Sequence, residues 1–285
     1  MTPDDYCREK TAKSGSSFYY SFLFLSEQQR QAITALYAFC REIDDTVDSD
    51  HDADIARNKL QWWRQEINQT FNHQASHPIS KALVTAIDKY DLHQEYFIEI
   101  IDGMAMDLDQ FSYPNFKQLA LYCHRVASAV GLLVVEIFGY QNRDTLKYAE
   151  NLGMALQLTN IIRDVREDAQ RGRIYIPQEE LEQFNVDIDD VLALKSSPEL
   201  IELLQFQTQR ARDYYQKALS LLPDCDCYSQ RTGLIMSEIY QTTLDEIELD
   251  GFHVMEHRVT LTPIRKLWIA WKTATKSKRR QVQQA

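Results

Sequence analysis

The sequence predicts an all-α fold, and three observations carry that prediction. Apolar residues recur at helical spacing along nearly the whole chain. Only 8 Gly and 7 Pro occur in 285 residues, too few for a turn-rich β protein. No strand followed by a Gly-rich loop and a helix is present, which excludes a dinucleotide-binding Rossmann unit. With 44% apolar residues the chain can bury a sizeable core. The connection Lys195-Ser196-Ser197-Pro198 is too short for a domain linker. A single domain over 1–285 is expected, with a basic tail from about 265.

The elements follow in order. Residues 27–48 carry Ile33, Leu36, Ala38, Phe39, Ile43 and Val47 at helical spacing. Residues 53–72, 78–90 and 93–111 read as further helices, broken near Ser76-His77-Pro78 and at Asp91. Tyr113-Pro114-Asn115 marks a loop, and a helix over about 115–139 follows. Its centre, Ala129 to Val135, is apolar all round and predicts the most buried helix. One long helix is expected over about 143–169. Residues 170–177 are a loop, given Gly172 and Pro177. Helices resume at 178–184, 187–194, 198–222 and 227–250.

Composition narrows the function. A net charge of -11 excludes a general nucleic-acid binder. The five cysteines are odd in number and scattered, and Cys225-Asp226-Cys227 lacks histidine partners, so neither a disulfide framework nor a zinc site is expected. Asp4 and Asp5 stand where a signal peptide would be basic. No apolar run approaching the roughly 20 residues of a membrane span is expected. These features predict a cytoplasmic protein.

Two acidic motifs carry the chemistry. Asp44 and Asp48 are four apart, as are Asp164 and Asp168, so each pair shares one helix face. Unpaired carboxylates one turn apart repel, and two facing pairs repel more unless a cation lies between them. Hard oxygen ligands in that number suit Mg²⁺, which keeps several waters and also takes substrate phosphates. Tyr37, Arg41, Asp44 and Asp48 fall within a stripe of about 60°. Arg is the better phosphate clamp, because its planar fork binds two oxygens at once. In the second motif Asn160 precedes Asp164 and Asp168 at the same spacing, Gln157 lies one turn earlier, and Arg163, Arg171 and Arg173 surround the acidic face. A Mg²⁺-dependent site for a phosphorylated ligand is expected.

The stretch Leu36-Tyr37-Ala38-Phe39-Cys40-Arg41-Glu42-Ile43-Asp44-Asp45-Thr46-Val47-Asp48 resembles the first aspartate-rich motif of the squalene/phytoene synthase family. Residues 157–168 resemble the second. Tyr122-Cys123-His124-Arg125-Val126-Ala127 with Gly131 resembles the family's tyrosine helix, and Gly172-Arg173-Ile174-Tyr175-Ile176-Pro177 its following loop. The likeness runs from about Tyr6 to Leu267. Within the family, the segments 14–22, 99–104 and 265–268 resemble most the bacterial presqualene diphosphate synthases of hopanoid biosynthesis.

The resemblance implies a helical bundle around a deep central cavity and a head-to-head joining of two allylic diphosphates. It implies that Asp44, Asp48, Asp164 and Asp168, with Asn160, hold Mg²⁺ against the diphosphates. Arg41, Tyr240, Arg258, Ser14 and Ser17 match diphosphate-contacting positions. Relatives often carry a basic residue or His around 14–16, where this chain has Ser14-Gly15-Ser16, so Lys13 is the nearest substitute. Tyr122 matches a tyrosine that works on the carbocation or takes up a proton. Tyr37, Val126, Val130, Leu156 and Gln157 match substrate-lining positions. Ser128 replaces a usual Gly, which implies a slightly narrower cavity. Phe18, Tyr19, Phe22 and Tyr37 are candidates for stabilising a cation through their ring faces. The expected reaction takes two farnesyl diphosphates to presqualene diphosphate without NADPH. The alternatives are a phytoene, dehydrosqualene or squalene synthase, or a non-catalytic relative acting in assembly, although both Asp motifs are intact.

Residues 265–272 alternate basic and aromatic side chains, and Lys276, Lys278, Arg279 and Arg280 follow. On an acidic protein this reads either as a peripheral membrane-surface segment or as a final helix packed on the bundle.

Overall fold

The computed structural model describes residues 1–13, 21–22, 24–48 and 52–284, without the side chains of 279–284. The chain is all-α: among the described residues no strand forms, and Ser112 and Ile174 make one isolated bridge. Helix α1 (Pro3–Lys13), which the apolar pattern does not announce, precedes α2 (Glu27–Asp48), α3 (Ala53–Phe71), α4 (Pro78–Tyr90) and α5 (Gln94–Asp109). Asp52 caps α3 by accepting from the amides of Asp54 and Ile55, and Asp91 closes α4 in the left-handed region.

The central helix enters as α6 (Phe116–Cys123), widens into a π-helical segment (His124–Ser128), and continues as α7 (Ala129–Phe138). Contrary to expectation, the stretch 116–138 is long and apolar enough to cross a membrane; half of that stretch is buried in the bundle. Then come α8 (Asp144–Arg163) and α9 (Val165–Gln170), so the long helix expected over 143–169 is interrupted at Asp164. There φ is -105° and ψ is 15°, outside the helical range. Short α10 (Gln178–Gln183) and α11 (Ile188–Leu192) lead to α12 (Pro198–Leu221), which packs along α8. Helices α13 (Arg231–Leu249) and α14 (Pro263–Gln284) close the bundle, packed on each other.

Two apolar clusters result. One joins α1–α5 to part of α7; the other joins α6, α8, α12, α13 and α14. Val126, in the π-helical segment, packs against both. Two glycines permit the close approach there. A Cβ on Gly153 of α8 would lie 2.6 Å from the Ser128 Cα, and one on Gly103 of α5 would lie 2.6 Å from a Val126 methyl.

Candidate active site

Between the two clusters lies a cavity of about 220 Å³. Ile33, Leu36, Tyr37 and Cys40 of α2 form one wall, and Val126, Val130 and Val134 of the central helix form a second. Leu152, Leu156, Gln157 and Asn160 of α8 and Met236 and Tyr240 of α13 complete it. Along α2 the lining runs from Ile33 to Cys40, a rise of about 10 Å at 1.5 Å per residue. Its far end is closed by Phe138 and Tyr148. Phe22 and Tyr37 pack edge to face on its wall, 6.3 Å apart. Burial pushes the Cys40 thiol up to about 12, so it stays protonated.

Both α2 and α8 run toward the same end of this cavity, and each delivers an acidic motif there. Arg41 donates to Asp44 at 2.6 Å and to Asp45 at 3.0 Å. Arg171 and Arg173, from the loop after α9, donate to the two oxygens of Asp48 at 3.0 and 2.8 Å. That loop is tied down by the Ile174 amide donating to the Phe111 carbonyl at 2.7 Å. It therefore bridges the two motifs. Asp164 accepts bidentate pairs from Arg163 (2.7 and 2.5 Å) and from Arg258 (2.7 and 2.9 Å). The Arg163 guanidinium also lies 5.9 Å from the Tyr240 ring centre.

These surroundings split the carboxylates. Burial raises Asp164, but Arg163 and Arg258 outweigh it and hold the group below its ordinary range. Asp44 is pushed up to about 6, by burial and by Asp48 and Asp45, against the pull of Arg41. Asp168 is pushed up to about 8, by burial and by Asp164. Among the described residues no Lys or Arg pairs with Asp168. Asp168 is therefore the motif carboxylate without a cationic partner, and its charged form is the one the site disfavours. The Asn160 Oδ1 is buried and accepts no hydrogen bond, while its Nδ2 donates to Gln157 Oε1 at 3.3 Å. Among the described residues no three His, Cys, Asp or Glu side chains gather around one point.

Beside the cavity is a group the sequence reading missed. Tyr122 donates to Asp107 at 3.1 Å, Tyr175 donates to the other Asp107 oxygen at 2.8 Å, and the two hydroxyls are 3.3 Å apart. Burial drives Asp107 up to about 6, opposed by Arg173 and both tyrosines. Tyr122 and Tyr175 are themselves pushed well above the usual phenol range by burial and by Asp107. Asp107 continues the buried stripe of Ile100, Gly103 and Met104 on α5. An acid on the apolar face of a helix was the available signal.

Other expectations need correction. Lys13, exposed at the end of α1, pairs with Glu9, and it is Lys10 that reaches the first motif, 2.9 Å from Asp45. Ser128 is absent from the cavity wall; its hydroxyl donates to the Glu150 carbonyl at 2.7 Å. Ser14, Ser17, Phe18 and Tyr19 lie outside the described residues.

Residues 11–265 match the model of the squalene/phytoene synthase family. The chain belongs to that family. It is 35% identical over 273 residues to a presqualene diphosphate synthase of Sinorhizobium fredii, covering 94% of this chain and 96% of the relative. It is equally 35% identical over 273 residues to a 15-cis-phytoene synthase of Synechococcus elongatus, covering 92% and 89%. A crystal structure of a dehydrosqualene synthase in complex with ligand superposes with a TM-score of 0.87 at 25% identity, covering 97% of each chain. The family is one of prenyltransferases acting on prenyl diphosphates.

Proposed function

We propose that this chain condenses two farnesyl diphosphates head to head into presqualene diphosphate, releasing diphosphate, with Mg²⁺ as its cofactor, in squalene and hopanoid biosynthesis. One observation carries the reading: two carboxylate pairs, three of the four groups paired with arginines, follow directly on the helices whose Cys40 and Asn160 line an apolar cavity. The match to a presqualene diphosphate synthase over nearly the full length of both chains supports the product.

Mg²⁺ fits the donor set. Asp44, Asp48, Asn160, Asp164 and Asp168 are hard oxygen donors and would hold it; the unpartnered Asn160 oxygen and the Asp168 carboxyl, whose charged form lacks a cationic partner, are what such an ion would satisfy. Mg²⁺ takes one or two carboxylates and fills its shell with water and phosphate, so it needs no closed ring of protein ligands. When bound, the ion supplies charge that neutralises the departing diphosphate.

The chain's own residues do the rest. Arg41, Arg258 and the Tyr240 hydroxyl bind diphosphate oxygens, with Ser14 and Ser17 contributing from the N-terminal segment. Arg171 and Arg173 fix Asp48. Tyr37, Val126, Val130, Leu156 and Gln157 line the prenyl tails and exclude water from the allylic cation left when diphosphate departs. The faces of Phe22 and Tyr37 stabilise that cation. The second substrate's double bond attacks it, and loss of a proton closes the cyclopropane. Tyr122 accepts this proton on its oxygen while giving its own to Asp107, so the phenol never ionises. We place the reaction at a membrane surface, because the product carries two long isoprenoid tails.

Mass spectrometry of the product made from farnesyl diphosphate and Mg²⁺, with and without NADPH, tests the reading. Presqualene diphosphate in both is expected. Squalene appearing only with NADPH would assign the chain to the squalene synthases. A second reading, phytoene synthesis from geranylgeranyl diphosphate, is favoured by the phytoene synthases among the relatives. It would be established by phytoene formation with farnesyl diphosphate inert.

A further inference from the structure

The last helix has two faces, and only one is used by the bundle. Ile269, Ala270, Ala274 and Ser277 are buried, and the helix packs on α13. Ile264, Leu267, Trp268 and Trp271 are 80, 44, 56 and 61% exposed. At 100° per residue these four fall within a stripe of about 100°. Arg265, Lys272 and Lys276 form a row along one edge of it, at the same angular step. The Lys272 ammonium lies 4.9 Å from the Trp268 ring centre, so stem and ring cover one another while the charge stays outward. Leu249, at the end of α13 and 81% exposed, is near the stripe's start, where Arg265 pairs with Glu246 at 2.7 Å.

Charge singles out this element. Between Pro263 and Gln284 there are basic residues and no acidic one, in a protein of net charge -11. A second copy of so acidic a chain could meet this helix, but tryptophans beside a basic row describe a helix lying in a headgroup layer. The same end of the helix is next to the diphosphate site. Arg163 and Arg258, which clamp Asp164, act on Lys266 by repulsion and, with burial as the larger cause, lower its affinity for a proton.

We propose that α14 is a membrane-docking helix for an anionic lipid surface, its Ile264/Leu267/Trp268/Trp271 face entering the headgroup layer and its basic row meeting the lipid charge. This names the lipid partner of the reaction assigned above and rests on that reading only for its purpose, not for its occurrence.

The test is co-sedimentation of the full chain with vesicles of phosphatidylcholine alone and of equal parts phosphatidylcholine and phosphatidylglycerol. The expected result is binding to the anionic vesicles only, reversed by high salt. Trp268→Ala with Trp271→Ala should weaken binding at least roughly tenfold. Lys272→Gln with Lys276→Gln should weaken it by a similar factor, about tenfold. Both double variants should keep wild-type helical content and wild-type turnover of detergent-dispersed farnesyl diphosphate. Failure to bind, equal binding to both vesicles, or unchanged binding in the double variants would overturn the proposal. So would a lipid-free dimer that the tryptophan variant splits, which would make the stripe a contact between copies. Turnover without vesicle binding would sink docking and leave the reaction standing. Vesicle binding without turnover would do the reverse.

Discussion

Asp107 is the residue on which the chemistry beside the cavity turns. It is a carboxylate with two phenol donors, and each phenol is held by burial in its neutral form. Tyr122→Phe removes one donor and no volume. We expect the fold to persist, at a cost of about 1–3 kcal/mol for the lost bond to a charged group, and turnover to fall by about 10². A melting curve and steady-state kinetics check both, and full activity would reduce Tyr122 to packing. Asp107 also sets a pH window. Its folded value is about 6 against an ordinary 3.8, so between these values the folded protein holds a proton that the unfolded chain has lost. Stability contributed by this group therefore falls as pH rises from about 4 to 6, and stays lost above. Asp107→Asn should flatten that part of the stability profile, measured by urea unfolding across the window, and should slow turnover. An unchanged slope would show that Asp107 titrates normally.

At the scale of elements, the bounds of α2 and α4 were legible to the residue, because amphipathic periodicity and punctuation at Asp48, Pro78 and Asp91 coincide there. The central helix, expected to be the most buried, is only half buried because Val126, Val130, Gly131 and Val134 line the cavity, and its bulge was not legible. The bulge falls on His124-Arg125-Val126-Ala127-Ser128, where no Gly or Pro marks an added residue, and there α5 and α8 approach through Gly103 and Gly153. The interruption at Asp164 was hidden for a similar reason, since Arg258, distant in sequence, meets its carboxylate. The motif aspartates stood out because each pair repeats one four-residue spacing. Asp107 was not, because its partners come from two other segments. Gly153→Ala tests the close approach. Its methyl would meet the Ser128 backbone at 2.6 Å, which cannot rotate away. We expect a loss of about 1–3 kcal/mol together with reduced turnover, as the shift would move Val126 and Tyr122. Calorimetry showing an unchanged or raised melting temperature would mean the π-helical segment has room to move.

For the whole molecule, the distribution of charge explains how an acidic protein can receive an anionic substrate. Arginines occupy Asp44, Asp48 and Asp164, so on the proposed reading the cations that would meet diphosphate are held on the carboxylates that would take the metal. Asp168 is the exception: its folded value of about 8, against 3.8, means the metal-free fold keeps a proton there across the neutral range. Ionising it costs stability as pH rises from about 4 to 8, and Asp44 adds to this up to about 6. A divalent cation competes with that proton. Mg²⁺ with inorganic diphosphate should therefore raise the melting temperature more above pH 8 than near pH 6, where the proton must first be displaced. Asp168→Asn should erase the difference. Asp48→Asn and Asp164→Asn should each cut turnover by about 10² or more while leaving helical content nearly unchanged. A melting shift independent of pH, or activity retained in both motif variants, would mean that the facing carboxylates serve the fold and that the ion, if any, binds elsewhere.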